Sequence, residues 1–216
     1  MTGAGKTTLL NVIFGKEVGL AKRSSELVTT KSSVYYCRLE NGNCISIIDT
    51  PGMKDYHNRI LNDKDINDTH LQEILKVISE HKINIKGILF CVNFQSERFT
   101  VDDQDVLLKY HSAFPLRRFW RNLIVIFTHY FPDEDEDNEE EIKELRDERI
   151  GEIFSEIMDK VKNVSDAIHY SNLKIRYYNS YSPVKNEGQR EKNMIVRDDL
   201  EILLDELSKN ESLFSQ

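Results

Sequence analysis

The chain of 216 residues is long enough to bury a substantial core within a single domain. Its composition, 39% hydrophobic and 31% charged, is typical of a globular protein, and no apolar run approaches the ~20 residues of a transmembrane helix. The formal net charge of −8 argues against nonspecific nucleic-acid binding, although main-chain amides and one lysine can still bind an anion locally.

The chain opens on part of a phosphate-binding loop. Residues 2 to 8 read TGAGKTT, and an apolar run follows them. Gly5, Lys6 and Thr7 fill the last three places of the pattern G-x-x-x-x-G-K-[ST], whose first glycine would fall one residue before Met1. The alternative reading is a chance glycine-rich turn.

Such a loop binds phosphate because it opens a helix. The amides of Gly3, Ala4, Gly5 and Lys6 are expected to surround the α- and β-phosphates, at the positively polarised helix start. Lys6 is expected to reach the β- and γ-phosphate oxygens, and the Thr7 hydroxyl to bind Mg²⁺. Thr8, the next residue, is also predicted to bind the nucleotide.

The predicted elements alternate between helices and strands along the chain. An Asn-Gly turn at residues 40–42 predicts a hairpin between two strands. The alternation predicts an α/β fold with a mostly parallel sheet covered by helices, whose ligands bind at the carboxyl ends of strands. The expected helices are 7–14, 70–83, 100–113, 138–165 and 195–207, and the expected strands are 33–39, 43–49, 87–94, 122–128 and 173–179.

A second motif, Asp49-Thr50-Pro51-Gly52, follows the apolar run 44–48 directly. An aspartate that ends a strand can hold Mg²⁺, usually through water. The Gly52 amide can donate to a γ-phosphate, and this contact exists only with the triphosphate, so the motif predicts a switch. Without the loop before it, the motif reads equally well as an ordinary turn.

A threonine between these motifs can complete the coordination of Mg²⁺ in the triphosphate state. Thr29 and Thr30 both qualify, and their spacing does not choose between them. The alternative is that this part of the chain is a solvated polar loop.

The usual guanine-reading tetrapeptide N-K-x-D does not occur in the chain. After the strand at 122–128, Thr128 and His129 can line or stack on a base, and Asp133 or Asp135 can supply the carboxylate. Asn179, after the last strand, can meet the base O6. The acidic run at 133–141 also reads as a solvated loop and helix start, and Asn179 as a turn residue.

With these motifs in order, the chain resembles the GTPases of immunity-associated proteins. These are the GIMAP or AIG-type G domains, also called IAN proteins, in the paraseptin branch of the TRAFAC GTPases. The resemblance runs from residue 2 to about 207, and the Thr-His pair is also similar to chloroplast outer-envelope import GTPases. The matching segments are TGAGKTTLLN, Val28-Thr29, IIDTPG, Arg98-Phe99-Thr100 with Asp102-Asp103, and Phe127-Thr128-His129.

The resemblance implies a Ras-like P-loop fold, a three-layer sandwich, over residues 1–210, followed by a short tail at 211–216. It implies binding of GTP, GDP and Mg²⁺, slow hydrolysis, and self-association that depends on the nucleotide, often at a membrane surface. Thr-His replaces the usual Asn-Lys in this family, so the absent tetrapeptide does not exclude guanine. The strand before the loop is missing, and we expect a chain that starts at Met1 to be poorly stable and an N-terminally extended one to bind GTP.

The sequence therefore predicts a GTP-binding switch with weak GTPase activity. Catalysis would depend on Lys6, Mg²⁺ and loop amides, with Thr29 or Thr30 and Gly52 contacting the reacting end. Met53 stands where a water-positioning residue would be expected, which predicts slow turnover. The alternatives are a GTP-dependent assembly scaffold with negligible hydrolysis, a truncated product that does not bind, and an adenine-nucleotide protein.

The expected partners are a guanine nucleotide and a second copy of the chain in the GTP state, with no nucleic acid. Three cysteines, Cys37, Cys44 and Cys91, lie in apolar strand-like runs, which favours reduced thiols in the cytosol. The expected location is cytoplasmic, including peripheral attachment at a membrane surface. With no signal-peptide pattern or lipid-anchor motif in the given residues, we expect neither feature.

Overall fold

The computed structural model describes residues 4–18, 32–50, 63–95, 101–114, 116–130, 174–180 and 184–213, together with residues 144, 148 and 151. Helices and strands alternate through these ranges, as the sequence predicts. The helices are α1 (Lys6–Phe14), α2 (Asp63–Glu80), α3 (Val101–Ala113), α4 (Leu116–Asn122) and α5 (Glu187–Ser208), and the strands are β1 (Ser33–Arg38), β2 (Cys44–Asp49), β3 (Ile88–Asn93), β4 (Leu123–Thr128) and β5 (Lys174–Tyr177).

Two glycines delimit α1. Gly5 precedes the helix with φ 72°, and Gly15 follows it with φ 62°, both in the left-handed region that glycine adopts at little cost. The Gly15 amide donates to the carbonyl of Val12, which closes the last turn. The predicted bounds of this helix are therefore confirmed to within one residue.

The hairpin of β1 and β2 is also confirmed. The two strands pair antiparallel with Ser33 opposite Asp49, and Gly42 takes φ 87° in the connecting turn. The Leu39 amide donates to the Asn43 carbonyl across the turn at 2.8 Å. This register places Asp49 at the end of β2, as the second motif requires.

A separate parallel sheet has the order β3-β4-β5. All six residues of β4 are buried, as expected for a strand covered on both faces. Strand β3 is equally apolar, yet five of its six residues are only half-buried, so complete coverage of β3 is not observed. The reason is that β3 pairs with β4 on one side and borders an open cleft on the other.

Helices cover both faces of the parallel sheet, which gives the predicted three layers. Alternate residues of β4 point to opposite faces, as in any strand. Ile124 and Ile126 pack in one cluster with side chains of α1 and α5. Val125 and Phe127 pack in another with side chains of α3 and α4, among them the buried Leu107, Phe119 and Trp120.

Three helices differ from the sequence-based expectation. Helix α5 begins at Glu187, eight residues before the predicted start, with Asn186 capping it by accepting from the Gln189 amide at 2.9 Å. Its first two turns are polar, so they carry no apolar periodicity. Helix α2 begins at Asp63 rather than at residue 70. Helix α4 was not predicted, because its seven residues are too short to show a helical repeat.

Most of the predicted helix at 138–165 lies outside the described residues, although Glu144, Glu148 and Gly151 each take helical geometry. Among the described helices, none combines the length and the apolar character that crossing a bilayer requires.

Candidate functional site

The start of α1 meets the carboxyl end of β2. The Thr7 hydroxyl donates to Asp49 Oδ2 at 3.1 Å, which joins two residues 42 positions apart. Asp49 is buried, with 7% of its surface exposed. The structure thus brings together the loop and the strand-terminal aspartate on which the sequence-based site depends.

Burial raises the pKa of the Asp49 carboxyl above its usual value. Three neighbours act in the opposite direction: the Thr7 hydroxyl by its hydrogen bond, the Lys6 ammonium by its charge, and the Thr50 main chain by a further hydrogen bond. The desolvation effect is the larger one, so the ionised carboxylate is not fully compensated by its protein neighbours. A bound cation would supply the missing compensation.

The donor set suits magnesium. Mg²⁺ prefers hard oxygen ligands, and it is usually held by one or two protein groups while phosphate and water complete its shell. The Thr7 hydroxyl and the Asp49 carboxylate are such ligands, and they lie within hydrogen-bond distance of each other. The residues present therefore fit the metal predicted from the sequence.

Thr128 lies directly beneath the loop. Its hydroxyl oxygen is 3.0 Å from the Ala4 carbonyl oxygen and 3.2 Å from that of Val92, and only 1% of the residue is exposed. A Cβ added at Gly5 would lie 2.9 Å from the Thr128 Cβ, so only glycine fits there. The side chain of Thr128 thus contacts the loop, which the sequence did not reveal. The predicted contact between Thr128 and a nucleotide base stays a prediction.

His129 follows in a left-handed conformation with φ 55°, uncommon for a residue other than glycine. Its Nδ1 is 3.1 Å from the Thr128 hydroxyl oxygen. That hydroxyl has one proton, whereas two carbonyls and one ring nitrogen surround it. The arrangement that satisfies most groups has His129 Nδ1–H donating to Thr128, whose proton then goes to a carbonyl such as that of Ala4.

The segment after β5 lies beside the segment after β4. The Tyr178 amide donates a hydrogen bond to the Phe127 carbonyl at 2.8 Å. The Tyr130 amide in turn donates to the Tyr178 carbonyl at 3.3 Å. The Tyr178 hydroxyl donates to Asp199 of α5 at 2.5 Å, which anchors this segment. The predicted base-contacting residues His129 and Asn179 therefore stand on adjoining segments.

Asn179 shows an unsatisfied polar atom. Its Oδ1 is buried and has no hydrogen-bond partner within the described part of the chain. A buried amide oxygen without a partner is destabilising, and such groups in native proteins usually have a functional or ligand-related reason. The role of Asn179 at a ligand stays a prediction, since other side chains, such as that of Trp120, also have a buried polar atom without a partner among the described residues.

The structure describes part of the predicted site. Ala4, Gly5, Lys6 and Thr7 lie together with Asp49 and Thr128, and Thr8 follows in the first turn of α1. The remaining predicted site residues lie outside the described residues: Gly3, Thr29, Thr30, Gly52 and Asp133.

One further residue near the site was not predicted from the sequence. Tyr110 of α3 forms a hydrogen bond with the side chain of Thr50, immediately after Asp49. Its place in a regular helix gave no sign of this contact, because the contact depends on how α3 packs beside β2.

The AIG1 family model matches residues 1–174 of the chain. The chain belongs to the AIG1 family. This membership confirms the resemblance that the loop, the second motif and the Thr-His pair indicated.

Curated relatives of this AIG1-family chain are GTP-binding or nucleotide-binding proteins by name. "GTP-binding protein A" of Dictyostelium discoideum is 28% identical over 128 residues, 59% of this chain and 26% of that protein. "Immune-associated nucleotide-binding protein 13" of Arabidopsis thaliana is 27% identical over 127 residues, 59% of this chain and 35% of that protein. The matched part thus spans about a quarter to a third of these relatives.

Solved structures of Toc33 from Arabidopsis thaliana share the fold. A dimerization-deficient mutant aligns with a TM-score of 0.69 at 16% identity, covering 99% of this chain and 84% of Toc33. Toc33 in complex with Mg²⁺ and GMPPNP aligns with a TM-score of 0.65 over the same shares. The predicted Ras-like α/β class is therefore confirmed.

Proposed function

We propose that this protein is a guanine-nucleotide-binding switch that hydrolyses GTP slowly with Mg²⁺ and self-associates in its GTP-bound state. The observation that carries the proposal is the 3.1 Å hydrogen bond between the Thr7 hydroxyl and Asp49. A metal-ligating pair thus stands at the start of a helix whose loop matches a phosphate-binding pattern. The names of the relatives and the nucleotide-bound Toc33 structures support the same ligand.

In this proposal the loop residues bind the polyphosphate. The amides of Gly3, Ala4, Gly5 and Lys6 surround the α- and β-phosphates, and the Lys6 ammonium meets the β- and γ-oxygens. Thr7 and Asp49 hold the metal, with Thr29 or Thr30 as a further ligand in the triphosphate state. When bound, Mg²⁺ neutralises charge on the β- and γ-phosphates.

The base would lie where the segments after β4 and β5 adjoin. His129 and Asn179 stand on those two segments, and the buried Asn179 amide oxygen has no partner within the described residues. We place the base against these residues, with Asp133 as the carboxylate that accepts from the guanine N1 and N2.

Slow hydrolysis follows from what the chain offers to the attacking water. Positioning and charge neutralisation by Lys6 and the loop amides remain, while Met53 after the Gly52 switch position cannot activate or orient water. In the chloroplast translocon components atToc33 and psToc159, dimerization is important for GTPase activity. We propose that self-association likewise accompanies the GTP state of this protein.

The deciding experiment is a titration of the protein with fluorescent GTP in the presence of Mg²⁺. Lys6→Ala should weaken binding by roughly 10- to 100-fold, because hydrogen bonds to charged groups contribute about 1.5–3 kcal/mol. Lys16→Ala, an exposed lysine just beyond the same helix, is the matched control and should bind like the parent protein. Equal affinity of the Lys6 and Lys16 variants would contradict the phosphate site.

Competition between nucleotides then tests the specificity for guanine, and the rate of GTP hydrolysis tests the switch function. Unlabelled GTP should displace the probe, and ATP and xanthosine triphosphate should do so at least tenfold less well. Phosphate release measured beside molecular mass would separate the two functional classes. GTP-dependent dimers without turnover would favour an assembly scaffold, and identical behaviour with GTP, GDP and no nucleotide would refute both.

We further propose that the protein acts in the cytoplasm. The three cysteines are free thiols in the structure, as a reducing compartment would keep them. Sedimentation with and without vesicles in each nucleotide state would test the peripheral membrane attachment that family membership suggests.

A further inference from the structure

Tyr178 lies where the end of β5, the segment after β4 and helix α5 meet. Its amide donates to the Phe127 carbonyl at 2.8 Å, and its carbonyl accepts from the Tyr130 amide at 3.3 Å. Its ring belongs to the apolar cluster that contains Leu200 and Leu203 of α5, and only 4% of the residue is exposed. The main chain of Tyr178 is therefore held by the segment after β4, while its side chain is held by α5.

The ring of Tyr178 brings a polar group to the edge of this apolar cluster. Its hydroxyl donates to Asp199 Oδ2 of α5 at 2.5 Å. Arg176 Nε lies 3.4 Å from the same carboxylate oxygen. Arg176 and Tyr178 are two positions apart, which places both side chains on one side of the chain, as in a strand. Asp199 thus joins two side chains of the β5 segment to α5.

Packing alone does not require the Tyr178 hydroxyl, because a phenylalanine ring would fill nearly the same space. A buried hydroxyl is destabilising unless it is hydrogen-bonded, so its bond to Asp199 restricts the ring to one position. Burial raises the pKa of the Tyr178 hydroxyl, as does the Asp199 carboxylate, while Arg176 acts in the opposite direction. The hydroxyl therefore stays a proton donor at neutral pH, and the anchor persists there.

Asn179 directly follows this anchored residue. The proposed function places the Asn179 side chain against the base, and its buried Oδ1 has no partner among the described residues. A short side chain can make a directional hydrogen bond to a ligand only where its own main chain is held in place. In enzymes, a misplacement of about 1 Å can cost roughly 100-fold in rate. The residue that holds the main chain at this point is Tyr178.

We propose that Tyr178 and Asp199, with Arg176 orienting the carboxylate, position Asn179 and thereby set the affinity for the nucleotide base. Tyr178 is a positioning residue in this arrangement, because it acts through the residue that follows it. The inference rests on the proposed function and gives α5 a part in base recognition. It predicts a loss confined to the base, since Lys6 and the loop amides bind the phosphates.

The test is a titration with GTP and Mg²⁺ of four forms: the parent protein, Tyr178→Phe, Asn179→Ala and the double variant. Tyr178→Phe should weaken binding about fivefold and Asn179→Ala about tenfold, as expected for single hydrogen bonds. If Tyr178 acts through Asn179, the double variant should bind no more weakly than Asn179→Ala alone. Losses that multiply in the double variant, or a Tyr178→Phe form that binds like the parent, would overturn the proposal.

The Asp199 variants test the same anchor from α5. Asp199→Ala should weaken GTP binding at least as much as Tyr178→Phe, whereas Asp199→Asn keeps an acceptor for the hydroxyl and should restore most of the affinity. Asp198→Ala, at the exposed neighbouring position of the same helix, is the matched control and should bind like the parent. Equal affinity of Asp199→Ala and Asp198→Ala would overturn the proposal, even if Tyr178→Phe failed to fold.

Inorganic tripolyphosphate with Mg²⁺ separates positioning of the base from a general loss of structure. Its affinity should be the same in the parent and in every variant, and a loss parallel to that for GTP would overturn the proposal. A parent that binds GTP while the losses multiply would contradict the positioning role and leave the phosphate site standing. A parent that binds neither GTP nor tripolyphosphate would contradict the proposed function, and this inference with it.

Discussion

Asp49, the proposed metal ligand, is expected to reduce the stability of the unliganded protein. Its carboxyl is buried and its pKa is raised, despite a hydroxyl donor and a nearby ammonium. In the unfolded chain the same group titrates near its ordinary value, so the native state binds the proton more tightly. Stability therefore declines as pH rises from the unfolded pKa through the raised folded pKa, and the loss is complete above the folded pKa.

Asp49→Asn should consequently raise the free energy of unfolding of the nucleotide-free protein at pH 7, and the gain should vanish as pH falls below the ordinary carboxyl pKa. The amide oxygen can still accept from Thr7, so the hydrogen bond survives. The variant should lose the additional melting-temperature increase that Mg²⁺ gives with nucleotide. Denaturant unfolding between pH 3.5 and 7, with thermal melts at pH 7, would check both parts.

Asp205 is the control, because its pKa is shifted in the direction opposite to that of Asp49. Its carboxyl is on the surface, and the hydrogen bond from Lys209 lowers its pKa. The stability that it contributes is present above the unfolded pKa and is lost as pH falls through the folded one. Asp205→Asn should thus be neutral or mildly destabilising at pH 7 and leave the Mg²⁺ effect intact. An Asp49→Asn variant that matched it in both respects would contradict the electrostatic account.

Between elements, the clearest link that the sequence did not reveal joins α3 to the end of β2. Tyr110 forms a hydrogen bond with the side chain of Thr50, and burial raises the pKa of its hydroxyl. Thr50 follows Asp49, the proposed metal ligand, and precedes the Gly52 position of the proposed switch by two residues.

Tyr110→Phe should lower the free energy of unfolding by about 1 kcal/mol, because the ring still fills its place while the hydrogen bond is lost. Tyr36→Phe is the control: Tyr36 is 67% exposed and should change little. Urea unfolding of both variants measures the difference. Equal midpoints and slopes for the two would mean that the Tyr110 hydroxyl contributes nothing to the position of Thr50.

Elements that depend on local signals could be predicted from the sequence. The Asn41-Gly42 turn gave the hairpin, and the apolar run of β4 gave a strand covered on both faces. The start of α5 was wrong by eight residues, because its polar first turns face solvent and only the capping Asn186 marks them. Hydrophobic periodicity reveals a helix by the face that it buries. The first turns of α5 bury few side chains, so they show no such periodicity.

The candidate site likewise has features that the sequence predicts and features that depend on tertiary packing. The order of the motifs predicted that Thr7 and Asp49 would meet, since both were expected to bind the same Mg²⁺; Asp49 ends β2 and Thr7 lies in the first turn of α1. The support of Gly5 by Thr128 could not be predicted, because the two residues are 123 positions apart and their contact depends on β4 lying beneath the loop. The cleft between the sheets likewise emerges only when strands are placed side by side.

At the scale of the whole molecule, the proposed self-association would depend on both net charge and nucleotide state. Each chain carries a formal net charge of −8, and a bound triphosphate adds to it. Two such molecules repel each other at low ionic strength, and salt screens that repulsion with a Debye length of about 10 Å at 0.1 M. Dimers that form in the GTP state should therefore strengthen as salt rises, unless opposite charges meet at the interface.

We predict that the protein bound to a non-hydrolysable GTP analogue and Mg²⁺ is dimeric at tens of micromolar, and that the GDP form is monomeric. Raising NaCl from 50 to 200 mM should lower the dimer dissociation constant several-fold, because repulsion is screened. Sedimentation velocity in both nucleotide states measures this. At an analogue concentration that saturates the parent but not the weakened variant, Lys6→Ala should stay mostly monomeric, and Lys16→Ala should dimerise like the parent. Equal masses with GDP and the analogue would refute the nucleotide dependence, and dimers that weaken with salt would place opposite charges at the interface.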